Sequence, residues 1–91
     1  MNKERRKRLE SAIELLENAK ETLVEAQEIV EEVHDEEEEA YDNLPEGVQE
    51  SERGETMYEN VDALDTVMSD LDDIQGQIDD EIDSIQEVID K

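Results

Sequence analysis

A heptad repeat of apolar residues is the feature that most constrains the fold of this chain. In the first part of the sequence, eight successive core positions are apolar, at alternating steps of three and four residues: Leu9, Ala12, Leu16, Ala19, Leu23, Ala26, Val30 and Val33. A second run is apolar at nine of ten such positions: Met57, Val61, Leu64, Met68, Leu71, Gln75 (the exception), Ile78, Ile82, Ile85 and Ile89. This spacing is typical of α-helices that pack along a narrow seam. We therefore expect two long amphipathic helices.

A proline and a glycine separate the two runs. Pro45 cannot continue a helix, and Gly47 tolerates a turn. The sequence predicts a single all-α domain over residues 1–91, with a helix over about residues 3–42, a loop over about 43–50 and a helix over about 51–90. Because the connection is short, the two helices should lie antiparallel as a long, coiled-coil-like helical hairpin.

Further apolar residues flank the core positions. They widen the apolar stripe beyond what one pair of helices buries, so we expect two hairpins to form a four-helix bundle, with a homodimer favoured. The residues assigned to this oligomer seam are Ile13, Leu15, Ile29, Val67, Ile74 and Val88. A monomer that tolerates scattered surface apolar side chains is the alternative.

The charge balance argues against several classes of function. Acidic residues number 31 against 8 basic ones, a net charge of −23, so direct binding to nucleic acid or to an anionic membrane is disfavoured. Cysteine is absent and His34 is the single histidine, which removes disulfides, thiolate metal sites and thiol nucleophiles. Neither a membrane-spanning apolar run nor the apolar core of a signal peptide is visible. A cytoplasmic location is expected.

The carboxylate motifs do not indicate an active site. Glu28 and Glu31, followed by Glu59 and Asp62, imitate the E-x-x-E and E-x-x-D pairs of magnesium-dependent nucleotide pyrophosphohydrolases. The heptad register places all four on the outer helix faces, where they cannot converge on one metal ion. We therefore expect a protein that is not an enzyme and that needs neither a metal nor another cofactor.

The region around the loop offers aromatic, apolar and charged groups together. Glu37 interrupts the first heptad run, where an unpaired buried carboxylate would be unfavourable, and Arg53 could pair with it. Gln75 interrupts the second run, either as a register device or as a polar ligand group. His34 and Tyr41 lie beside the seam and are expected to pack rather than to catalyse. The residues assigned to a loop contact are Tyr41, Asp42, Asn43, Leu44, Arg53 and Tyr58.

Basic residues are concentrated at the start of the chain. Residues 1–8 hold five of the eight, whereas residues 9–91 hold 30 acidic and three basic residues. Bases at a helix N-terminus oppose the helix dipole, but an antiparallel partner would bring the acidic end of the second helix beside them. We expect this pairing to close the open end of the hairpin.

The sequence of the loop is distinctive. From Asp35 to Glu55 the chain reads DEEEEAYDNLPEGVQESERGE, which resembles the central segment of small, acidic, helical proteins of bacteriophages and prophages. The similarity extends to the basic opening and to the acidic heptads after Met57. The resemblance implies a phage origin and action in the cytosol of a bacterial host, and it brings no catalytic residue. Small phage proteins of this kind commonly bind and inhibit host factors, including antiphage defence systems.

Rows of carboxylates suggest the main functional hypothesis. Regularly spaced acids on the outward positions can imitate the repeated charge of a nucleic acid and attract a host protein with a basic surface. The residues assigned to this acidic face are Glu14, Glu17, Glu21, Glu25, Glu28, Glu31, Glu32, Glu59, Asp62, Asp70, Asp73, Asp80 and Asp83. We expect a non-catalytic inhibitor that binds such a protein through this face.

Two alternative functions stay open. One is a coiled-coil scaffold or assembly protein, in which the apolar stripe docks another helical protein. The other is an oligomeric sponge that sequesters a nucleotide immune signal at subunit junctions. The residues that would supply its anion and stacking contacts are Arg5, Arg6, Arg8, Arg53, Tyr41 and Tyr58.

Overall fold

The computed structural model describes all of residues 1–91 and consists of three helices without a β-strand. Helix α1 spans Lys3–Asp42, the one-turn helix α2 spans Glu46–Gln49, and α3 spans Glu52–Asp90. The prediction of an all-α chain is therefore confirmed. The short α2 lies within the segment that the sequence predicts as a loop.

Both long helices begin at a side-chain cap. The side-chain oxygen of Asn2 accepts a hydrogen bond of 2.9 Å from the backbone N–H of Arg5. At α3, the hydroxyl of Ser51 accepts from the backbone N–H of Gly54 at 3.5 Å and donates to the carbonyl of Val48. These bonds satisfy backbone groups that a helix end otherwise leaves unpaired, which explains where the two helices start.

A glycine allows the connection to fold back against the start of α3. Gly54 is buried, and a Cβ atom at this position would lie 2.6 Å from the Cα of Gln49 and closer still to its carbonyl oxygen. Position 54 is the third of the helix, where a glutamate would complete a capping box. The close backbone approach explains why glycine stands there instead.

Helices α1 and α3 run antiparallel and pack side by side. Residue numbers on α3 fall as those on α1 rise. The contacting pairs, in order along α1, are Arg6 with Lys91, Lys20 with Asp79, Gln27 with Gln75, His34 with Asp65, and Tyr41 with Tyr58. The Cα atoms extend over 69 × 15 × 14 Å. Pairing of two such chains into a four-helix bundle stays a prediction.

The face of α1 that packs against α3 is the predicted one in part. Leu9, Ala12, Leu16, Leu23 and Val30 are half-buried as expected, whereas Ala19, Ala26 and Val33, also expected in the seam, are exposed. The second half-buried or buried column lies one residue later in each heptad: Ile13, Lys20, Gln27, His34 and Tyr41. The polar members of this column find polar partners on α3, which offsets the loss of their hydration. On α3, all ten predicted seam positions are buried or half-buried, including Gln75.

Little of the molecule is removed from water. Only three of the 91 residues are buried, namely His34, Gly54 and Val61. Two helices alone form a thin layer, so most seam residues keep one edge exposed. None of the helices combines the length and the apolar character needed to cross a lipid bilayer.

Candidate functional site

The seam divides the helix pair into two long sides. A groove on one side is lined by Glu17, Lys20, Glu21, Val24, Asp79, Ile82 and Asp83. Grooves on the other side are lined by Leu16, Ile74, Gln77, Ile78 and Glu81, and by Val33, Glu37, Asn60, Ala63 and Leu64. Residues seven positions apart along α1 form a column of the helix surface. The column of Lys20 and the column of Leu16 border the seam on opposite edges, so the first groove lies on the opposite side from the other two.

The first side, which we call the acidic side, carries exposed carboxylates along both helices. Residues seven positions apart share a column of the helix surface, which extends the groove residues in both directions. The acidic side is defined by Glu10, Glu14, Glu17, Glu21, Glu28, Glu31 and Glu38 on α1 and by Asp62, Asp65, Asp72, Asp79, Asp83 and Asp90 on α3, all exposed. Lys20 lies among them, and its Nζ lies 2.8 Å from both carboxylate oxygens of Asp79.

The structure divides the predicted acidic face. All thirteen carboxylates assigned to it are exposed. Glu17, Glu21 and Asp83 meet at the groove of the acidic side. By contrast, Glu25 and Glu32 lie on the outermost column of α1, and Asp70 shares a column with Ala63 on the opposite side. Nowhere do three or more His, Asp or Glu side chains converge as a metal site requires.

His34 connects the two helices at the edge of the acidic side. Its Nδ1 lies 3.0 Å from the Asp35 carboxylate, and its Nε2 lies 2.8 Å from Asp65 on α3 and 3.8 Å from Glu38. The contact with Asp65 is an ion pair without hydrogen-bond alignment. The hydrogen bond to Asp35 and the charges of Asp65 and Glu38 raise the pKa of His34 above its ordinary value of 6.5, although burial opposes them. The imidazole thus favours its charged form here.

Gln75 is held by a second glutamine inside the seam. Its Nε2 donates a hydrogen bond of 2.7 Å to Oε1 of Gln27. Gln27 in turn donates from Nε2 to the carbonyl of Met68 at 3.1 Å. Gln75 therefore has a protein partner and forms a polar layer between the helices. The sequence singled out Gln75 but not Gln27, because the predicted seam of α1 passed through Ala26.

The loop end of the molecule contains an aromatic pair. The rings of Tyr41 and Tyr58 lie 5.8 Å apart between centroids, tilted by 55°. Gln49 supports them by donating a 3.0 Å hydrogen bond to the carbonyl of Tyr41. A shallow groove beside the rings is completed by Glu55 and Glu59. This places an aromatic and acidic surface at the loop.

The other residues assigned to the loop contact lie apart from this groove. Leu44 is half-buried, and its backbone N–H donates to the carbonyl of Tyr41 at 3.1 Å. Asp42, Asn43 and Arg53 are exposed. Arg53 forms no ion pair with Glu37, which stays half-buried in the groove beside Val33. The pairing that the sequence suggested for Glu37 is thus wrong, and partial exposure to water solvates its charge instead.

The basic opening makes one contact with the end of α3. Nη2 of Arg6 donates a 3.1 Å hydrogen bond to the carbonyl of Lys91. The other bases, Lys3, Arg5, Lys7 and Arg8, are exposed and make no ion pair. Acidic side chains of α3 do not pair with the basic opening as predicted, and this hydrogen bond is the contact that joins the two helix ends. The arginines of the opening lie at the opposite end of the molecule from Tyr41, Tyr58 and Arg53, so a single chain does not gather the contacts proposed for a nucleotide.

The second side, which we call the apolar side, exposes large aliphatic side chains. Leu15 is 69% exposed, Ile29 62%, Val33 45%, Val67 40%, Ile74 40% and Val88 39%. The apolar side is defined by Ala12, Leu15, Ala19, Ala26, Ile29 and Val33 on α1 and by Ala63, Val67, Ile74 and Val88 on α3. Ile13, also assigned to the oligomer seam, is half-buried in the column of Lys20 and faces α3.

Comparisons with known proteins identify no relative, since no family model, no curated protein and no solved structure matches the chain.

Proposed function

We propose that this chain is a non-catalytic binding protein whose acidic side occupies a basic, nucleic-acid-binding surface of another protein. The density of uncompensated charge is the observation that carries the proposal. A net charge of −23 is spread over a molecule 69 Å long, about one net negative charge per 3 Å. One strand of DNA carries a charge about every 3.4 Å. The acidic side alone carries 13 carboxylates along the same 69 Å, about one per 5 Å, so a surface that accommodates a phosphate backbone meets a charge density of the same order here.

The arrangement of the acidic side supports the same proposal. Carboxylates follow one another at spacings of three, four and seven residues along each helix, which sets neighbouring Cβ atoms about 5–6 Å apart within a turn. Lys20 neutralises only Asp79 among them. The remaining charges act over a distance on an approaching basic surface, which speeds the encounter and makes it sensitive to salt.

The nature of the partner is proposed from the resemblance of the loop to phage proteins. On that basis we propose that the target is a protein of a bacterial host, with an antiphage defence protein that binds DNA or RNA as the main candidate. Occupation of its nucleic-acid surface would inhibit it without any chemical step by this chain.

We also propose that the helix pair is a hairpin that forms half of a dimeric four-helix bundle. Exposed side chains such as Leu15 and Ile29 lie on one side of the molecule rather than at scattered positions, and apolar surfaces of this kind mark interaction sites. A second copy on the apolar side leaves both acidic sides in solvent. A foreign helix in the same place would instead correspond to the scaffold alternative.

Displacement from immobilised DNA tests the proposed function. Proteins of a bacterial extract are bound to DNA beads, the beads are washed, and the chain is added as eluant. We expect it to release one or a few proteins at about 0.1 M salt and much less at about 0.5 M, because the screening length shortens from about 10 Å at 0.1 M towards about 3 Å at 1 M. The Kd of the purified partner is then measured at both salt concentrations.

Two variants with the same change in net charge provide the control. In the first, four carboxylates of the acidic side are neutralised: Glu17→Gln, Glu21→Gln, Asp62→Asn and Asp83→Asn. In the second, four carboxylates elsewhere are neutralised: Glu25→Gln, Glu32→Gln, Glu39→Gln and Asp70→Asn. We expect the first to weaken partner binding by about tenfold or more, equivalent to about 1.4 kcal/mol, and the second clearly less. Equal losses in both, or no protein released by the unmodified chain, would contradict the proposal.

A further inference from the structure

Along the apolar side of α1, the order of residue types is almost the same in both directions. Its two columns carry, in order, Arg8, Ala12, Leu15, Ala19, Thr22, Ala26, Ile29, Val33 and Glu36. From Thr22 outwards, each direction meets an alanine, a large aliphatic residue and a further apolar residue. Each direction then ends in a charge, and the two charges are opposite. All nine residues are exposed except Ala12, which is half-buried.

We propose that the occupant of the apolar side is a second copy of this chain, with the two α1 helices antiparallel and a twofold axis passing close to Thr22. A twofold axis requires a surface that complements itself. The reversed order sets Arg8 of one copy beside Glu36 of the other at both ends of the contact. The same order sets Leu15 of one copy level with Ile29 of the other, and Ala19 about level with Ala26. The large side chains therefore pack against each other at two levels, and the small alanines between them allow the helices to approach closely.

The second helix supports the same axis independently. In three contacts between the helices, Lys20 with Asp79, His34 with Asp65 and Tyr41 with Tyr58, the two residue numbers add up to 99. Thr22 therefore lies level with Gln77 on α3. Along the apolar side of α3, Val67 and Val88 lie almost equally far from Gln77, on either side of it. One axis through Thr22 and Gln77 thus brings Val67 of one copy to Val88 of the other.

The match on α3 is incomplete. The same axis sets Ile74 of one copy near Glu81 of the other, an apolar residue beside a carboxylate. Helix α1 therefore supplies the better-matched half of the contact, and its two ends carry the charge pairs that fix the direction.

The strip has the size that a stable dimer needs. From Arg8 to Glu36 the rise is about 42 Å at about 1.5 Å per residue, and two adjacent helices are about 20 Å wide, which gives about 800 Å² per copy. Stable protein interfaces bury about 800 Å² per partner. This inference depends on the dimeric bundle proposed above and does not depend on the acidic-side function.

Single cysteines test the direction and the axis, because the chain has none of its own. Thr22→Cys should form a disulfide-linked dimer under mild oxidation, since cysteine Cα atoms must come within about 7 Å. Ala12→Cys alone and Val33→Cys alone should not, because the antiparallel order separates equal positions by about 30 Å. A mixture of these two variants should give a mixed disulfide. Ser69→Cys, on the side away from the contact, is the control and should stay monomeric on denaturing gels.

The outcomes separate the proposals. Sedimentation equilibrium that shows a dimer, together with cross-linking of Ala12→Cys to itself, would mean a parallel arrangement and overturn the antiparallel axis. A dimer in which neither Thr22→Cys nor the mixture cross-links would overturn it too. A monomer at all concentrations would overturn both the dimer and its axis. None of these results bears on displacement from DNA.

Exchange of the charges at positions 8 and 36 tests the proposed pairing of Arg8 with Glu36 of the other copy. Arg8→Glu should weaken the dimer about tenfold or more, because it sets two like charges together at each end. The double variant Arg8→Glu/Glu36→Arg should restore it, with circular dichroism confirming that both variants stay helical. An Arg8→Glu variant with an unchanged dimer Kd, or a double variant without recovery, would overturn the pairing.

Discussion

His34 links the two long helices at a single point. It faces Asp35 and Glu38 on its own helix and Asp65 on α3, and these carboxylates raise its pKa above the ordinary 6.5. The folded chain therefore binds the imidazole proton more tightly than the unfolded chain does. By linkage, this stabilisation is fully present below the unfolded pKa and is lost as the pH rises through the higher folded pKa.

The free energy of unfolding should therefore fall as the pH rises above 6.5, the ordinary pKa of this group. Urea denaturation at several pH values measures this fall. In His34→Gln, the free energy of unfolding should depend much less on pH over the same range. Parallel curves for the two proteins would show that another group is responsible.

Two glycines should respond to alanine in opposite directions. Gly54→Ala places a Cβ against the backbone of Gln49, so we expect a loss of about 1–3 kcal/mol, typical of overpacking. Gly76 lies inside α3 with open space around it, and Gly76→Ala should stabilise by about 0.5–1 kcal/mol through helix propensity. Thermal or chemical denaturation of both variants checks the pair. A Gly54→Ala variant as stable as the unmodified chain would contradict the close approach.

At the scale of the elements, the two long helices followed from the sequence more readily than the face of α1 did. Pro45 separates the two heptad runs, and the ten seam positions of α3 are buried or half-buried as predicted. On α1, two neighbouring columns compete for the seam. Ala19 and Ala26 are more apolar than their neighbours, but Lys20 and Gln27 pack instead. They do so because Lys20 forms an ion pair with Asp79, and Gln27 forms a hydrogen bond with Gln75, across the seam. These partners can be identified only when the packing of α3 against α1 is known.

The acidic side could be predicted only in part for the same reason. Exposure of its carboxylates follows from the heptad pattern, and all those predicted are exposed. The way in which Glu17 and Glu21 meet Asp83 at one groove depends on the rotation of α1. A shift of one residue in the seam moves every column of α1 by the angle between two neighbouring columns.

The glutamine layer should behave as a unit. Gln27→Leu or Gln75→Leu alone leaves a partly buried amide without its partner and should destabilise by about 1–3 kcal/mol, whereas the double leucine variant should recover most of the loss. A double-mutant cycle from urea denaturation gives the coupling directly. Additive losses in the double variant would mean that the hydrogen bond between the two side chains contributes nothing to stability.

At the scale of the whole molecule, like charges repel along its entire length. Residues 9–91 hold 30 acidic and three basic residues, and folding brings the acidic columns of both helices together. Salt screens this repulsion. We expect the Tm to rise between about 0.05 M and about 0.5 M sodium chloride, with a smaller rise in the variant that lacks four carboxylates of the acidic side. A Tm that falls with salt would show that ion pairs such as Lys20 with Asp79 outweigh the repulsion.

The thin seam has a calorimetric consequence. Unfolding raises the heat capacity chiefly because apolar surface becomes hydrated, and a single chain with three buried residues has little such surface to expose. Its stability curve should therefore be broad and shallow, and its melting gradual. Association through the apolar side would withdraw Leu15, Ile29 and their neighbours from water, so the dimer should melt with a steeper and more strongly curved temperature dependence than the separate chains.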